Sequence, residues 1–258
     1  MDDATADTTA TGKSPKSETI EIIKTVAYAL LIALVIRIFL FQPFTIPSAS
    51  MEPTLFQGDY IIVSKFAYGF SRHSLPFSPA LFQGRLLGRE PQRGDVIVFK
   101  LPRDNHTDYI KRLIGLPGDQ VQVRAGVVYI NGKGVPRDEM TPASERTPFG
   151  FNRQVERYKE TLPNGRSYVT YSYGSDGDVD NTGVYVVPAG HYFMMGDNRD
   201  NSQDSRFPEA VGVGYVPFEN LVGRADLILL SWNDQASLFK PWTWFIDARP
   251  SRFVHLLK

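Results

Sequence analysis

A single long apolar segment near the start of the chain constrains the fold most. It covers residues 22–41, which are 20 positions of mostly Ala, Leu, Ile, Val and Phe. At about 1.5 Å per residue, a helix of this length crosses a hydrocarbon core of about 30 Å. Lys24 and Arg37 lie near its two ends, where long side chains can reach the lipid headgroups. The sequence therefore predicts a membrane-spanning helix over residues 20–42.

The residues on either side of this segment predict its orientation. Residues 1–19 are polar with almost no large apolar side chains, so we expect a disordered tail. Basic residues gather on this side, at Lys13, Lys16 and Lys24, whereas beyond the segment the next basic residue is Lys65. Because cytoplasmic flanks carry an excess of Lys and Arg, we expect the tail in the cytoplasm and residues 43–258 outside it.

Two other interpretations of the apolar segment stay open. A buried core helix would also be apolar, although a polar tail with a basic flank is unusual for one. A cleaved secretory signal is the second, because Ser48-Ala49-Ser50 is a small-x-small sequence that follows an apolar run. The segment exceeds the usual apolar region of such a signal, which is about 7 to 15 residues, and this favours the membrane helix.

Composition excludes several classes of function. The chain has 258 residues, 42% of them hydrophobic, with a formal net charge of zero, so charge steering of a nucleic acid is not expected. It contains no cysteine, which excludes disulfides, a thiol nucleophile and cysteine metal sites. We expect one sizeable domain with accessories, held together by packing alone.

After residue 42 the sequence favours β-structure. Runs rich in Ile, Val, Phe and Tyr predict strands at residues 59–66, 95–101, 108–115, 120–124, 127–130, 184–187, 191–195 and 224–231. Asn131-Gly132 adds a hairpin signal, because both residues tolerate positive φ. The predicted fold class is mainly β: an antiparallel sheet domain that follows one N-terminal membrane helix.

Three other segments have less regular patterns. Residues 67–92 are rich in Ser, Pro, Gly and Arg and predict a long loop or an extended hairpin. Residues 134–182 are polar, with one strand-like run at 166–173, and predict an inserted smaller β subdomain. Residues 239–258 combine aromatic and basic side chains, so they fit either a bilayer interface or a packed terminal segment.

A serine and a lysine are the candidates for chemistry. Ser50 lies in a small-residue turn shortly after the apolar segment, and a hydroxyl nucleophile needs a nearby base and donors for the oxyanion. The candidate base is Lys111, because burial in the mostly apolar strand 108–115 would lower its pKa. Strand alternation puts Tyr109 and Lys111 on one face and Arg112 on the other, so Arg112 should meet a structural partner. An exposed lysine on an edge strand is the alternative.

Three motifs in order carry a family resemblance. They are Ser-Ala-Ser-Met at 48–51, Tyr-Ile-Lys-Arg at 109–112, and Gly-Asp-Asn-Arg-Asp-Asn-Ser-Gln-Asp-Ser-Arg at 196–206. Together they resemble bacterial type I signal peptidases, also called leader peptidases, from about residue 41 to 232 with a weakly matching interval near 134–182. The resemblance implies a membrane-anchored serine endopeptidase on the outer face of the bacterial cytoplasmic membrane. Such an enzyme uses a Ser/Lys dyad and removes signal peptides from exported precursors after small residues.

The resemblance also implies roles for individual residues. Ser50 is the nucleophile and Lys111 the general base, the backbone N–H of Ser50 and the hydroxyl of Ser48 stabilise the oxyanion, and Ser202 orients the amine. Ion pairs that hold the site are implied for Arg112, Asp197, Asp204 and Arg206. Shallow substrate pockets are implied for Phe44, Ile46, Met51, Leu55, Ile61, Val98, Tyr109 and Ile110, with ordinary core packing as the alternative.

The implied partners are secretory precursors and membrane lipid, with the protein-export machinery as a further candidate, and no cofactor or metal is expected. The four histidines show no paired spacing for zinc or for a Ser-His-Asp triad. Two other functions stay open. One is a specialised processing peptidase for a single pilus or conjugation substrate. The other is a non-catalytic module that binds extended peptides by strand addition.

Overall fold

A computed structural model of the chain describes residues 15–75, 78–79, 82–146, 151–233 and 242–257. The chain divides into two compact units, Met1–Arg37 and Ile38–Lys258. The first contributes most of one long helix, and the second contains all the strands. Part of the predicted disordered tail, residues 1–14, lies outside the described residues.

The long helix, α1, covers Pro15–Phe39. Proline suits the first turn of a helix because its missing N–H would have no partner there, and Glu18 complements the helix dipole in that turn. Residues 15–19, predicted as disordered, are therefore helical. The helix ends three residues before the predicted boundary, because residues 41–45 are extended and pair with the sheet instead. Glu18–Phe39 is long and apolar enough to cross a membrane, and its side chains are largely exposed.

The strands occupy most of the second unit. In chain order they are β1 Phe41–Thr45, β2 Asp59–Ser64, β3 Phe70–Ser71, β4 Arg85–Leu86, β5 Val96–Lys100, β6 Asp108–Gly115, β7 Gln120–Arg124, β8 Val127–Ile130, β9 Lys133–Gly134, β10 Arg137–Arg146, β11 Asn152–Thr161, β12 Ser167–Ser172, β13 Tyr185–Val186, β14 His191–Met195, β15 Val216–Pro217, β16 Leu221–Ser231 and β17 His255–Leu256. Beyond α1, the described helical segments are the four-residue helix α2, Thr243–Ile246, and single 3₁₀ turns.

The main sheet is antiparallel throughout, in the order β1-β2-β16-β5-β6-β14-β15, with β17 paired to β16. The predicted mainly β, antiparallel fold class is therefore confirmed. Strand β6 lies in the interior of this sheet, between β5 and β14, and its residues are buried from Lys111 to Gly115. Lys111 is consequently not on an edge strand, which removes the structural alternative considered for it.

Strands β10, β11 and β12 form a separate three-stranded sheet inside the predicted insertion. One of these strands was predicted, as the run at 166–173. The other two, β10 and β11, are ten residues each and were not predicted, because their side chains are mostly charged or polar and exposed. Val155 and Glu160 are the buried side chains of β11. Residues 67–92 contribute the short β3-β4 pair, as expected for an extended hairpin.

The C-terminal segment packs against the main sheet through its polar residues. Arg252 and Arg249 meet the fully buried carboxylate of Asp59, at 2.5 Å and 3.6 Å. Asp59 also accepts from the hydroxyl of Ser231 and from the backbone N–H of Phe56. The part from Asp247 onward thus fits the packed alternative, whereas the side chains of Trp242, Trp244 and Phe245 are exposed.

We predict that Arg252→Leu lowers the free energy of unfolding by about 2–3 kcal/mol, because it leaves the buried Asp59 with one distant cation. Chemical denaturation of the full chain in detergent measures this loss. Arg89→Leu, at an exposed arginine, is the matched control and should stay within about 0.5 kcal/mol of the parent. Equal stability of the two variants would show that the ion pair does not hold the segment.

Candidate active site

The turn that carries Ser50 is a single 3₁₀ turn, Ala49–Met51, between β1 and β2. Ser48 precedes it with extended backbone, and Met51 is buried in the core. The side chain of Ser50 is 8% exposed. Small residues at 48–50 allow this tight turn to pass close to the neighbouring loop, so the hydroxyl lies at the surface of the core and is shielded from most solvent.

Lys111 reaches this hydroxyl from the interior strand β6. Its Nζ lies 2.7 Å from Ser50 Oγ and also donates to the backbone carbonyl of Ile110 at 2.9 Å. Lys111 is 4% exposed, and burial lowers the pKa of its amine from 10.5 to about 8, although the negative charges of Asp204 and Asp197 oppose this. A substantial fraction of the amine is therefore neutral in mildly alkaline solution, and a neutral amine can accept the hydroxyl proton.

The two other predicted serines lie close to this pair. Ser48 Oγ is 3.4 Å from Ser50 Oγ, on an exposed residue. Ser202 is buried, and its hydroxyl has no hydrogen bond of ordinary geometry to any described residue, although it lies near enough to Asp204 to help lower the pKa of that carboxyl. A Cβ added at Gly196 would collide with Ser202 Oγ and with the carbonyl oxygen of Ser50. Glycine at 196 is what lets the loop lie directly against the turn.

Two buried ion pairs fix the loop that contains Ser202. Asp197 accepts a bidentate pair from Arg112, at 2.8 and 2.7 Å. Asp204 accepts from Arg206 and from the backbone N–H of Gly196, at 2.9 and 3.0 Å. Although burial raises the pKa of Asp204, the charge of Arg206 and the hydrogen bonds to the carboxylate together outweigh burial and hold that pKa below its usual range. All four residues predicted as ion-pair partners thus lie in direct pairs beside the turn.

Seven of the eight predicted pocket residues belong to one apolar cluster around the turn. They are Phe44, Ile46, Met51, Leu55, Ile61, Val98 and Ile110. Tyr109 packs instead against the cluster of Phe99 and Leu113 on the other face of the sheet, with its ring 5.5 Å from Lys111 Nζ. Five members of the seven are fully or almost fully buried, so at rest they are core residues, whereas Phe44 and Ile110 are partly exposed.

Several residues at the site were not predicted. Thr54 donates to Asp197 at 2.5 Å, Asn198 bonds the Ser50 turn, and Arg199 forms a buried bidentate pair with Glu160 at 2.6 and 2.5 Å. Asn198 and Arg199 lie inside the motif at 196–206, which was the available signal for them, and Thr54 follows the motif at 48–51 by three residues. Glu160 had none, because it comes from the unpredicted strand β11.

A buried carboxyl close to the turn was also not predicted. Glu52 is 8% exposed, and burial together with the negative charge of Glu145 raises its pKa to about 7. Among the described residues no group of three or more His, Asp or Glu side chains could hold a metal ion.

Comparison with known proteins agrees with the residue pattern. The family model described as "Signal peptidase, peptidase S26" matches residues 19–232. Signal peptidase I of Rickettsia typhi is 43% identical over 256 residues, covering 92% of both chains. Signal peptidase I of Rickettsia felis is 44% identical over 236 residues, covering 84% of this chain and 85% of the relative.

A crystal structure of a signal peptidase I from Enterococcus faecalis V583 is 29% identical and covers 53% of this chain and 97% of its own, with a TM-score of 0.30. That score is too low to inform the geometry described above. The family match and the Rickettsia relatives extend over most of the chain, and they include the turn, the lysine strand and the loop. This chain therefore belongs to the signal peptidase family, peptidase S26.

Proposed function

We propose that this protein is a membrane-anchored serine endopeptidase that uses Ser50 and Lys111 to remove N-terminal signal peptides from exported precursors after small residues. One observation carries the proposal: a buried lysine amine lies 2.7 Å from a buried serine hydroxyl. The names of the relatives supply the substrate class, since each is a signal peptidase I. The three motifs supply the residue roles.

The reaction begins with proton transfer from the hydroxyl of Ser50 to the neutral amine of Lys111. Ser50 Oγ attacks the scissile carbonyl carbon, and the tetrahedral intermediate collapses by breaking the C–N bond. The Lys111 ammonium gives its proton to the departing amine, which is the new N-terminus of the mature protein. Lys111 then takes a proton from water, the resulting hydroxide attacks the acyl-enzyme, and the proton returns to Ser50 Oγ.

The oxyanion needs donors on the side of the turn that faces the substrate. We assign them to the backbone N–H of Ser50 and the hydroxyl of Ser48, which lies 3.4 Å from Ser50 Oγ. Loss of one such donor typically costs about 10² to 10³ in rate. The Ser202 hydroxyl, which is buried and lacks a described partner, is free to turn toward the Lys111 amine and orient it.

The apolar cluster around the turn provides the pocket walls in this proposal. Seven predicted wall residues pack together beside Ser50, and the partly exposed members Phe44 and Ile110 present the apolar surface that substrate meets. Shallow pockets of this kind admit small side chains and exclude large ones. Specificity for small residues at the cut follows.

Helix α1 is the anchor in this proposal. With its basic flank in the cytoplasm, it holds residues 43–258 as the peptidase domain on the outer face of the bacterial cytoplasmic membrane, in contact with lipid and close to emerging precursors. The interval 134–182 is the inserted subdomain, and the protein-export machinery is a further candidate partner.

Substitution of either dyad residue tests the function. We expect Ser50→Ala and Lys111→Ala to lower kcat/KM for a signal-peptide precursor by about 10⁴-fold or more, because the two groups act as a unit. Gel analysis of precursor cleavage in detergent or vesicles measures this. Ser144→Ala and Lys133→Ala, at exposed positions, are matched controls.

A panel of unrelated precursors also separates a general enzyme, which cuts them all, from one dedicated to a single substrate. A pure peptide binder would cut none.

The pH profile tests the lysine as base. Since the folded pKa of Lys111 is about 8, kcat/KM should fall about tenfold per pH unit below this value, as the amine becomes protonated, and level off above it. Initial cleavage rates over about 5 pH units, from roughly pH 5 to about pH 10, give the profile. A rate that stays flat down to acidic pH would exclude a lysine base.

Stability offers a test that needs no substrate. With a pKa of about 8 when folded and 10.5 when unfolded, Lys111 opposes folding below pH 8, where both states are protonated, and this cost disappears as pH rises toward 10.5. We therefore expect Lys111→Met to raise the free energy of unfolding by on the order of 3 kcal/mol at neutral pH, with a gain that shrinks at alkaline pH. Lys133→Met is the exposed control. A gain that does not vary with pH would show that the amine has an ordinary pKa.

A further inference from the structure

Asn198 makes three hydrogen bonds, two of them to the turn that carries Ser50, and no role was predicted for it. Its backbone N–H donates to the carbonyl of Ser50 at 3.1 Å. Its side-chain amide donates to the carbonyl of Ala49 at 3.2 Å and to the Glu145 carboxylate at 2.9 Å. Asn198 is completely buried, so water does not compete for these bonds. Asn198 thus contacts the carbonyls on both sides of the Ser50 α-carbon, and the Ala49 carbonyl also accepts from the backbone N–H of Glu52 at 3.1 Å.

The peptide unit that joins Ala49 to Ser50 is the important one. Among described residues the only cis peptide bond is Glu52-Pro53, so this unit is trans and planar. Its carbonyl and its N–H therefore point in opposite directions. A side chain that holds the Ala49 carbonyl on the inner side directs the Ser50 N–H to the outer side, where substrate arrives. The same bond polarises the peptide unit and strengthens its N–H as a donor.

The orientation of the Asn198 side chain follows from its neighbours. Both groups it meets, the Ala49 carbonyl and the Glu145 carboxylate, are acceptors, so the NH₂ end of the amide must face them. The amide oxygen is then left buried with no partner among the described residues. A buried unpaired acceptor costs about 1–3 kcal/mol, so this arrangement is not the one that stability alone would select.

Glu145 fixes the Asn198 amide from the inserted sheet. It lies on β10, is 5% exposed, and also accepts from the hydroxyl of Tyr173 at 3.1 Å and from Arg153 at 3.1 Å. Its negative charge also faces the carboxyl of Glu52. Tyr173 and Arg153 hold the Glu145 carboxylate in place, so this carboxylate in turn fixes the orientation of the Asn198 side-chain amide.

We propose that Asn198 is a positioning residue that aligns the Ser50 N–H for the oxyanion, and that Glu145 supports it from the inserted sheet. This rests on the proposed function, because it assumes that the Ser50 N–H is an oxyanion donor. This role is separate from that of Lys111, because Asn198 orients the N–H that stabilises the oxyanion and takes no part in the proton transfer to the Lys111 amine.

The test is a kinetic comparison of Asn198→Ala with Asn152→Ala, a matched control at an exposed asparagine. We expect Asn198→Ala to lower kcat by about 10- to 100-fold with KM changed less than about threefold, because the lost alignment matters in the transition state. The acid limb of the pH profile should keep its midpoint near pH 8, since the Lys111 amine is not altered. A merely structural role would move KM or that midpoint.

A second pair of variants keeps Asn198 itself intact. Glu145→Gln retains an acceptor oxygen for the amide and should keep kcat within about threefold of wild type, whereas Glu145→Met should lower it by roughly tenfold. A kcat for Asn198→Ala within about twofold of the control overturns the proposal, and so does a shifted pH midpoint. Equal kcat for the two Glu145 variants overturns the part assigned to the inserted sheet. If Ser50→Ala also cleaves as fast as wild type, the proposed function itself fails. If Ser50→Ala is inactive while Asn198→Ala matches its control, only the role of Asn198 fails.

Discussion

The contact between the Lys111 amine and the Ser50 hydroxyl depends on the exclusion of water. In bulk water the amine would be protonated at neutral pH, and a protonated amine cannot take a proton from serine. Burial in the interior strand β6 lowers its pKa to about 8, against the opposing charges of Asp204 and Asp197, and the charge of Arg206 helps to lower it. Each of the two carboxylates is paired with an arginine. The ion pairs of Asp197 and Asp204 therefore do more than hold the loop, since they limit the negative field at the amine.

The site is assembled from segments that are far apart in the chain. Ser50 lies in the turn after β1, Lys111 on β6, Ser202 in the loop after β14, and Glu145 and Glu160 on the inserted sheet. The inserted sheet is linked to the loop by several contacts, among them the buried pairs of Glu160 with Arg199 and of Glu145 with Asn198. It is thus part of the framework of the site, although its own side chains carry no chemistry. An insertion joined only by its chain ends would have no such links.

The sequence was sufficient to predict a strand wherever the apolar pattern of its side chains coincides with their burial. Strands at 108–115, 120–124, 127–130 and 191–195 were predicted at both ends, because apolar alternation and turn residues bound them. Strands β10 and β11 could not be predicted this way, since backbone pairing stabilises them while their charged side chains face solvent. The motif residues were identified by resemblance, whereas the contacts of Thr54 and Asn198 needed coordinates, because hydrogen bonds between residues far apart in the chain leave no sequence pattern.

Thr54 connects the site to a distant part of the chain. Its hydroxyl donates to Asp197, and its carbonyl accepts from Arg252 at 2.9 Å. Arg252 in turn pairs with the buried Asp59 at the start of β2. The segment that follows Ser50 is therefore braced by the loop on one side and by the C-terminal residues on the other. A protease that trimmed the chain before residue 249 would leave every proposed catalytic group in place and still loosen the backbone that carries the serine.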